Sequence, residues 1–554
     1  MMRRARLIAL LTALAATALA FAVAPAPIAV AQSATERQIE QVACDLPAQF
    51  VLRTWRGWRA DRGPDIQMIA KEPNYVGSGL PHVGPWEYVQ HVPMFWYGPG
   101  HIAPIGRVER PVTVAGIAPT MSELLDTPFT AIDGQPMREA LGPKGERIAD
   151  PPKLVLTLIW DAAGMNVLDV HENSWPFLRS LIPDGTWYDN ATVGSSPTST
   201  AQIHATIGTG AFPRNSGLVG HRLRIGPEIT TPWQRGPAYI DVPTFADIYD
   251  REYGNEPKVG LMGTVSIHAG MLGHGAMWGG GDKDLLLLRQ AVGGDTLTDE
   301  SFQWNLPPLL QPYYTFPAYA NDVPGFEEDV DEMDRADGKL DDKWRDNEIA
   351  PLLQGFDTPA RPIYQEQVLE EIIAREGFGA DDQTDLLFVN HKIIDYISHV
   401  WTLNSPEMND AIKAEDRALE TLVSYLDEKV GEGEWVLGLT ADHGAIPDPK
   451  VSGAFQISTS PIAAGINIEF DSDGDDDYVV ELVQPTGIFM DEAELRENGH
   501  TFADVAAYVM GLTKEQAKAE GTQVPAGEQD DAVFEAAFPS EMMDDLPCLP
   551  EARG

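Results

Sequence analysis

The chain is short of three things, and each shortage narrows what it does. Cysteine occurs twice in 554 residues, as Cys44 in QVACDLP and Cys548 in DDLPCLP. Two thiols allow one disulfide at most, and in an oxidising compartment an even pair invites it. Such a bond requires the two ends of the chain to meet. Basic residues are scarce, 39 Lys and Arg against 84 Asp and Glu, for a formal charge of −45. Long-range repulsion from that surface argues against duplex nucleic acid and anionic membranes as docking partners, and leaves small anions in a metal-lined pocket open. Long apolar runs are absent beyond the amino-terminal leader, so no stable membrane insertion is expected once that leader is removed.

The leader itself has a recognisable build. Arg3, Arg4 and Arg6 precede LIALLTALAATALAFAVA, and the small residues AVA before Gln32 suit signal peptidase. Residues 1–31 therefore read as a signal peptide of an exported protein, with an uncleaved anchor as the alternative. The acidic balance of the remainder fits a surface tuned to salty surroundings.

Downstream, apolar strands alternate with helical stretches, which predicts an α/β fold with a mainly parallel sheet. Three strands stand out. KLVLTLIWD ends in Asp161, DLLFVNHK runs just ahead of Asp395, and EWVLGLTADHG leads into Asp442 and His443. Polar residues beyond the carboxyl ends of buried strands lie where open α/β sheets bind ligands. GPKGERIADPP, residues 142–152, reads as a linker; residues 325–348 form an acidic insertion; and residues 466–484 read as a hairpin around an Asp/Gly turn. Both acidic stretches read as solvated turns, neither having the spacing of a calcium loop.

The chemistry concentrates in a few positions. In GSSPTSTAQIHATIGTG, Thr200 is expected at a helix amino terminus, where unpaired N–H groups favour a negative oxygen. Asp395 and His399 in DYISH are spaced i, i+4, on one face of a helical turn. Together with Asp161, Asp442 and His443 they suggest a metal centre. A mixed imidazole and carboxylate set favours zinc, and two clusters suggest two ions.

The series IWD, PTST, GTG, PRNSGLVG, DYISH and ADHG, in that order, resembles the alkaline phosphatase superfamily, within it the type I phosphodiesterase/nucleotide pyrophosphatase branch. The resemblance covers most of residues 153–450. It implies an alkaline-phosphatase-like sandwich, a central mainly parallel sheet flanked by helices with a smaller cap. It implies Thr200 as nucleophile, one zinc on Asp161, Asp442 and His443 with Thr200, and a second zinc on Asp395 and His399. The implied activity is hydrolysis of phosphodiesters or nucleotide pyrophosphates, small phosphate esters in either case, through a phosphothreonine. A phosphomonoesterase and a silent phosphate-binding relative are the alternatives.

The family's third histidine ligand normally follows ADHG, but here His500, after ADHG, stands at the start of an amphipathic helix. The stretch HVGPWEYVQHVPMFWYGPG, followed by GIAPTMSELL and IDGQPMREAL, has the form of the family's last piece. A circular permutation is therefore expected, with His82 as the missing ligand and Cys44 and Cys548 brought together as new ends. The expected parts are 32–141 as the permuted piece, 142–152 as linker, 153–300 carrying the nucleophile, 301–380 as acidic insertion or cap, and 381–554 as the remainder.

Departures from the family pattern limit the analogy. His221 stands 21 residues after Thr200 in place of an Asn that holds a phosphoryl oxygen, and Ile203 replaces another Asn. GTVSIHAGMLGHG lacks the Lys and Arg of threonine monoesterases, leaving His268 or His274 as possible substitutes and Arg222, Arg224 or Lys283 as outside cations. His204 is expected to be structural. With two zincs, three carboxylates and an ionised Thr200 the inner shell is near neutral, which favours a diester monoanion over a monoester dianion.

Overall fold

The computed structural model describes residues 33–143, 150–291, 302–355, 358–472 and 477–549. The leader 1–31 and residues 144–149 of the linker lie outside the described residues. Thirteen strands form the two principal sheets: β1 (Ile66–Ala70), β2 (Met94–Tyr97), β3 (Gly106–Val108), β4 (Leu154–Trp160), β5 (Thr186–Tyr188), β6 (Val259–Gly263), β7 (Leu285–Ala291), β8 (Phe302–Asn305), β9 (Asp385–His391), β10 (Trp435–Thr440), β11 (Val480–Gln484), β12 (Gly487–Met490) and β13 (Phe534–Pro539).

The larger sheet runs β8-β7-β6-β9-β4-β10-β2-β5-β3. Its centre, β7-β6-β9-β4-β10, is wholly parallel, as near-continuous apolar strands require when helices cover both faces. The three strands read from the sequence, β9, β4 and β10, are adjacent, so their carboxyl ends share one edge of the sheet. The flanking helices used below are α1 (Ala34–Asp45), α2 (Thr200–Thr209), α3 (Ala360–Glu376), α4 (Ile393–Val400), α5 (Pro406–Leu426) and α6 (Phe502–Met510). Segment 301–380 joins the main core through Trp304, Val368 and Leu369, and none of its described residues lines the cleft beside the site.

The smaller sheet, β11-β12-β1-β13, is antiparallel and draws on both ends of the chain. Ile39, Ile66 and Met68 from the amino-terminal side pack with Ile466, Val505 and Phe538 into a second core. The hairpin expected at 466–484 is corrected here. Ile462, Ile466 and Phe470 are buried at four-residue spacing on a helix, Thr459–Phe470, and the hairpin lies further on, between β11 and β12. That spacing suits a helix and denies the alternation a strand needs. Residues 473–476 of the expected turn lie outside the described residues.

Cys44, at the end of α1, is bonded to Cys548, with Cα atoms 5.4 Å apart at a sequence separation of 504. The ends of the described chain therefore meet, as the cysteine count invited. No helix among the described residues is long and apolar enough to cross a membrane. In the chain-entropy picture a loop of this length is worth at most about 6 kcal/mol. The double variant Cys44→Ser/Cys548→Ser is expected to melt earlier, with the smaller sheet losing amide-exchange protection before the larger. Identical melting and exchange in variant and parent would show that the bond adds nothing to the packing of the second core.

Candidate metal centre and nucleophile

Thr200 is the first residue of α2, and Ser199 before it makes no capping bond, its hydroxyl going to the Gln202 side chain instead. The amino terminus of the helix is thus not capped by Ser199, and it stands beside the buried Thr200 hydroxyl. Asp161 follows β4 directly, Asp442 and His443 follow β10, and Asp395 lies in the first turn of α4, just beyond β9. His82 arrives from the loop before β2. The structure thus gathers Thr200, Asp161, Asp395, Asp442, His82, His399 and His443 at one sheet edge.

Hydrogen bonds fix which nitrogen each imidazole offers. The Nδ1 of His82 faces the carbonyl of Thr198, that of His399 the carbonyl of Gly79, and that of His443 the carbonyl of Gly444. A carbonyl accepts only, so each Nδ1 carries a proton and Nε2 is the nitrogen each ring turns toward the centre; burial would lower the pKa of His399 and His443, but Asp395 and Asp442 outweigh it and raise it. Those Nε2 atoms point at carboxylates. His82 and His399 stand 3.1 and 3.4 Å from Asp395 Oδ1, and His443 stands 3.2 Å from Asp442 Oδ2 and 3.7 Å from Asp161 Oδ1. Burial, then neighbouring His443, pulls His82 down to about 4, so it stays neutral as a ligand must.

Asp395 Oδ1, Asp442 Oδ2 and His443 Nε2 are buried without a hydrogen-bond partner, and such orphans in a ring of donors fit a divalent cation. Two compact donor groups result, His82–Asp395–His443 and Asp161–Asp442–His443. His443 belongs to both, and it stacks on His82 with ring centroids 3.6 Å apart. His399 faces Asp395 but stands outside the compact groups.

A third group, Asp161–His204–His268, has the donors but not the free lone pairs. His204 donates Nδ1–H to the Thr200 carbonyl and receives the Asn390 amide at Nε2, so the expected structural role fits it. His268 accepts the Thr264 and Val265 amides at Nδ1, which puts its proton on Nε2, aimed at Asp161 Oδ2 from 3.6 Å. His274 bonds Asp247 away from the site, and Ile203 is buried in the main core. His500 packs edge-on against Phe470 in the second core and does not approach the centre. Among the described residues neither acidic loop supplies a metal-capable group; Asp250, Asp282 and Asp284 do, at the opposite end of β7.

One residue at the heart of the site was missed from the sequence. Lys392, between β9 and α4, places its Nζ 2.7 Å from Asp161 Oδ1, 2.8 Å from Asp395 Oδ2 and 3.1 Å from Thr200 Oγ1. Burial alone would lower its pKa, but Asp161, Asp395 and Asp442 outweigh that and raise it, so the ammonium persists. Burial likewise pushes Asp395 up, while Lys392 and His399 outweigh it and hold this carboxyl well below its usual range. The signal was the one used for Asp161 and Asp442, a polar residue just past a buried strand, and it sits three residues before Asp395. The other cations considered lie elsewhere: Arg224 pairs with Asp65 and Glu481, Lys283 reaches the Gln311 carbonyl, and Arg222 stands exposed at the cleft wall.

A cleft of about 340 Å³ opens beside Thr200. Its walls are largely apolar, with Trp58, Val83, Val219, Trp233 and Phe489 around the polar floor. His221 stands at that floor with the Ala201 N–H directed at its Nε2 from 3.5 Å, which leaves Nδ1 as its donor nitrogen. Burial, then Lys392, draws His221 down to about 3, so it is neutral at ordinary pH.

A family model described as type I phosphodiesterase / nucleotide pyrophosphatase matches residues 155–551. Among curated proteins, a calcium-transporting ATPase of Myroides odoratus is 24% identical over 352 residues, 54% of this chain and 61% of its own length. Alkaline phosphatase PafA of Elizabethkingia meningoseptica is 29% identical over 154 residues, 27% of this chain and 28% of its own. The matches thus span less than two thirds of these relatives. The crystal structure of wild-type alkaline phosphatase PafA superposes with a TM-score of 0.50 at 18% identity, over 70% of this chain and 84% of that one, which shows the fold.

The geometry separates the two histidines considered for the last ligand position. His82→Ala is expected to carry one zinc fewer than the parent after equilibration with the metal, while His500→Ala keeps the full complement. Elemental analysis of the two purified variants checks this, and the opposite pattern would remove His82 from the centre.

Proposed function

Because the chain belongs to the type I phosphodiesterase/nucleotide pyrophosphatase family, we propose that it hydrolyses phosphoric esters with Thr200 as nucleophile. One observation carries the reading: a buried hydroxyl at a helix amino terminus, ringed by three carboxylates and three imidazoles with their Nε2 atoms turned inward. Thr200 Oγ attacks phosphorus, its bond to phosphorus forms as the ester bond breaks, and the proton it loses balances the one gained by the departing alcohol. Water then hydrolyses the phosphothreonine. The amino terminus of α2 and the neutral His221 beside it are the groups proposed to hold phosphoryl oxygens as charge builds up.

The donor sets suit zinc, one ion on Asp161, Asp442 and His443 and one on Asp395, His399 and His82, the single free nitrogen of His443 serving only one of them. Bound there, zinc would lower the pKa of the threonine hydroxyl and offset negative charge on the phosphoryl group. Export through the leader is part of the same proposal, and the Cys44–Cys548 bond agrees with an oxidising destination. The arrival of His82 from the amino-terminal side, together with the joined chain ends, supports the circular permutation.

Of the esters, diesters are the proposed preference, supported by the apolar cleft, which offers a place for the second organic group. Lys392 favours a second reading. It adds one positive charge to a shell that two zincs, three carboxylates and an ionised Thr200 leave near neutral, and that suits a monoester dianion. Bis-nitrophenyl phosphate and nitrophenyl phosphate compared on one zinc-loaded preparation decide between them. The diester is expected to show the higher kcat/KM; a monoester advantage of tenfold, about 1.4 kcal/mol in the transition state, would assign a phosphomonoesterase.

Thr200→Ala is expected to abolish turnover of both esters in a folded protein whose melting temperature falls only slightly, for the lost buried methyl and Lys392 contact, and Thr200→Ser to retain part of the activity. Parent-like rates in the alanine variant would exclude the threonine mechanism. A parent enzyme inert toward both esters would point to a silent relative.

A further inference from the structure

We propose that Lys392 is a built-in cation that contests one of the two metal positions, so that the centre binds its divalent ions with very unequal affinity. The tight position is against His82 and Asp395; the weak one lies among Asp161, Asp442 and Thr200. The inference rests on the proposed reading for the part Thr200 plays, but not for the number or tightness of the ions.

The asymmetry comes from which oxygen each carboxylate gives to the lysine. Asp395 offers Lys392 its Oδ2, and its Oδ1, without a hydrogen-bond partner, remains turned to His82 and His399. That donor set is intact with the ammonium in place. Asp161 has no such reserve. Its Oδ1, the atom facing His443, is bonded to Lys392, and its Oδ2 receives the Asn390 amide at 3.1 Å. The ammonium also holds Thr200 Oγ1, the oxygen that an ion between Asp161 and His443 needs as its next ligand.

A dication entering that position must draw Asp161 and Thr200 away from Lys392, or settle for Asp442 and His443 alone. Either way two like charges share a dry pocket a few ångströms across, where screening is weak. The lysine has little room to retreat. Its backbone joins β9 to α4, and the buried side chain already touches two of the three carboxylates of the centre. Lys392 therefore keeps positive charge on the nucleophile and on Asp161 when metal is scarce, a task the family motif leaves to a second ion.

The test is metal counting across a buffered series of free zinc concentrations, on metal-stripped parent and on Lys392→Met, which keeps the length and removes the charge. The parent is expected to fill one position first and to need at least tenfold more free zinc for the second. In Lys392→Met the second ion should bind at least tenfold more tightly than in the parent. Two ions entering the parent in one step, or a second affinity unchanged by Lys392→Met, would overturn the inference. Should the variant fail to fold, the parent titration alone decides, because the inference requires two separated steps. Turnover plays no part in the readout. Two separated steps in a protein inert to every ester tried would discard the phosphoesterase reading and leave this one standing, and a single step in an active enzyme would do the reverse.

Discussion

Three ionised carboxylates shut away from water dictate the arrangement around them. Asp161, Asp395 and Asp442 are at most 2% exposed. Each buried charge costs several kcal/mol unless it is paired, so the surrounding elements are placed as compensation. The Ala162 N–H and the Asn390 amide serve Asp442 and Asp161, Lys392 bridges Asp161 and Asp395, and three imidazoles turn their Nε2 atoms to the carboxylates. The strand that leads into Lys392 is itself pinned. Burial alone would depress its neighbour His391, but Glu415 and Glu366 outweigh burial and push it up to about 10, giving an imidazolium clamped between α5 and α3. A charged lysine is thus delivered to the centre from a charged and fully buried anchor.

Legibility in the sequence followed the range of the interactions. The strands carrying Asp161 and Asp442 could be read because an apolar run and its polar terminus are contiguous, and adjacency of β9, β4 and β10 follows from parallel packing. His82 was found through pattern resemblance, since nothing local distinguishes it from any loop histidine. Lys392 carried the same local signal as Asp161 and went unread because a lysine in a cation site contradicts the expected chemistry. The sharing of His443 between two donor groups depends on a ring stacked on His82, which sequence spacing cannot express. The last turn of the helix Thr459–Phe470, from Ile466 on, was read as part of a hairpin because its Asp-rich sequel outweighed the four-residue spacing of Ile462, Ile466 and Phe470.

The two cores divide the work. The larger sheet positions the edge that carries the carboxylates and imidazoles, while the smaller one, with the residues flanking it, supplies much of the cleft wall: Trp58 and Val83 from one end of the chain and Phe489 from the other. Substrate fit is therefore set by segments from opposite ends of the sequence, and changes there alter the cleft without touching the metal donors.

The smaller sheet also has a history in time. Ile66 of β1 finds its partner Pro539 only after some 470 further residues have been made, which at about 5–20 residues per second takes from roughly 20 to 90 s. Through that interval an apolar strand with two unpaired edges waits for neighbours, the situation in which strands pair wrongly or aggregate. β1 is five residues long, a short edge to leave exposed. The acidic chain around it, repelling its own copies, gives such a nascent segment a longer safe wait than a neutral protein would have.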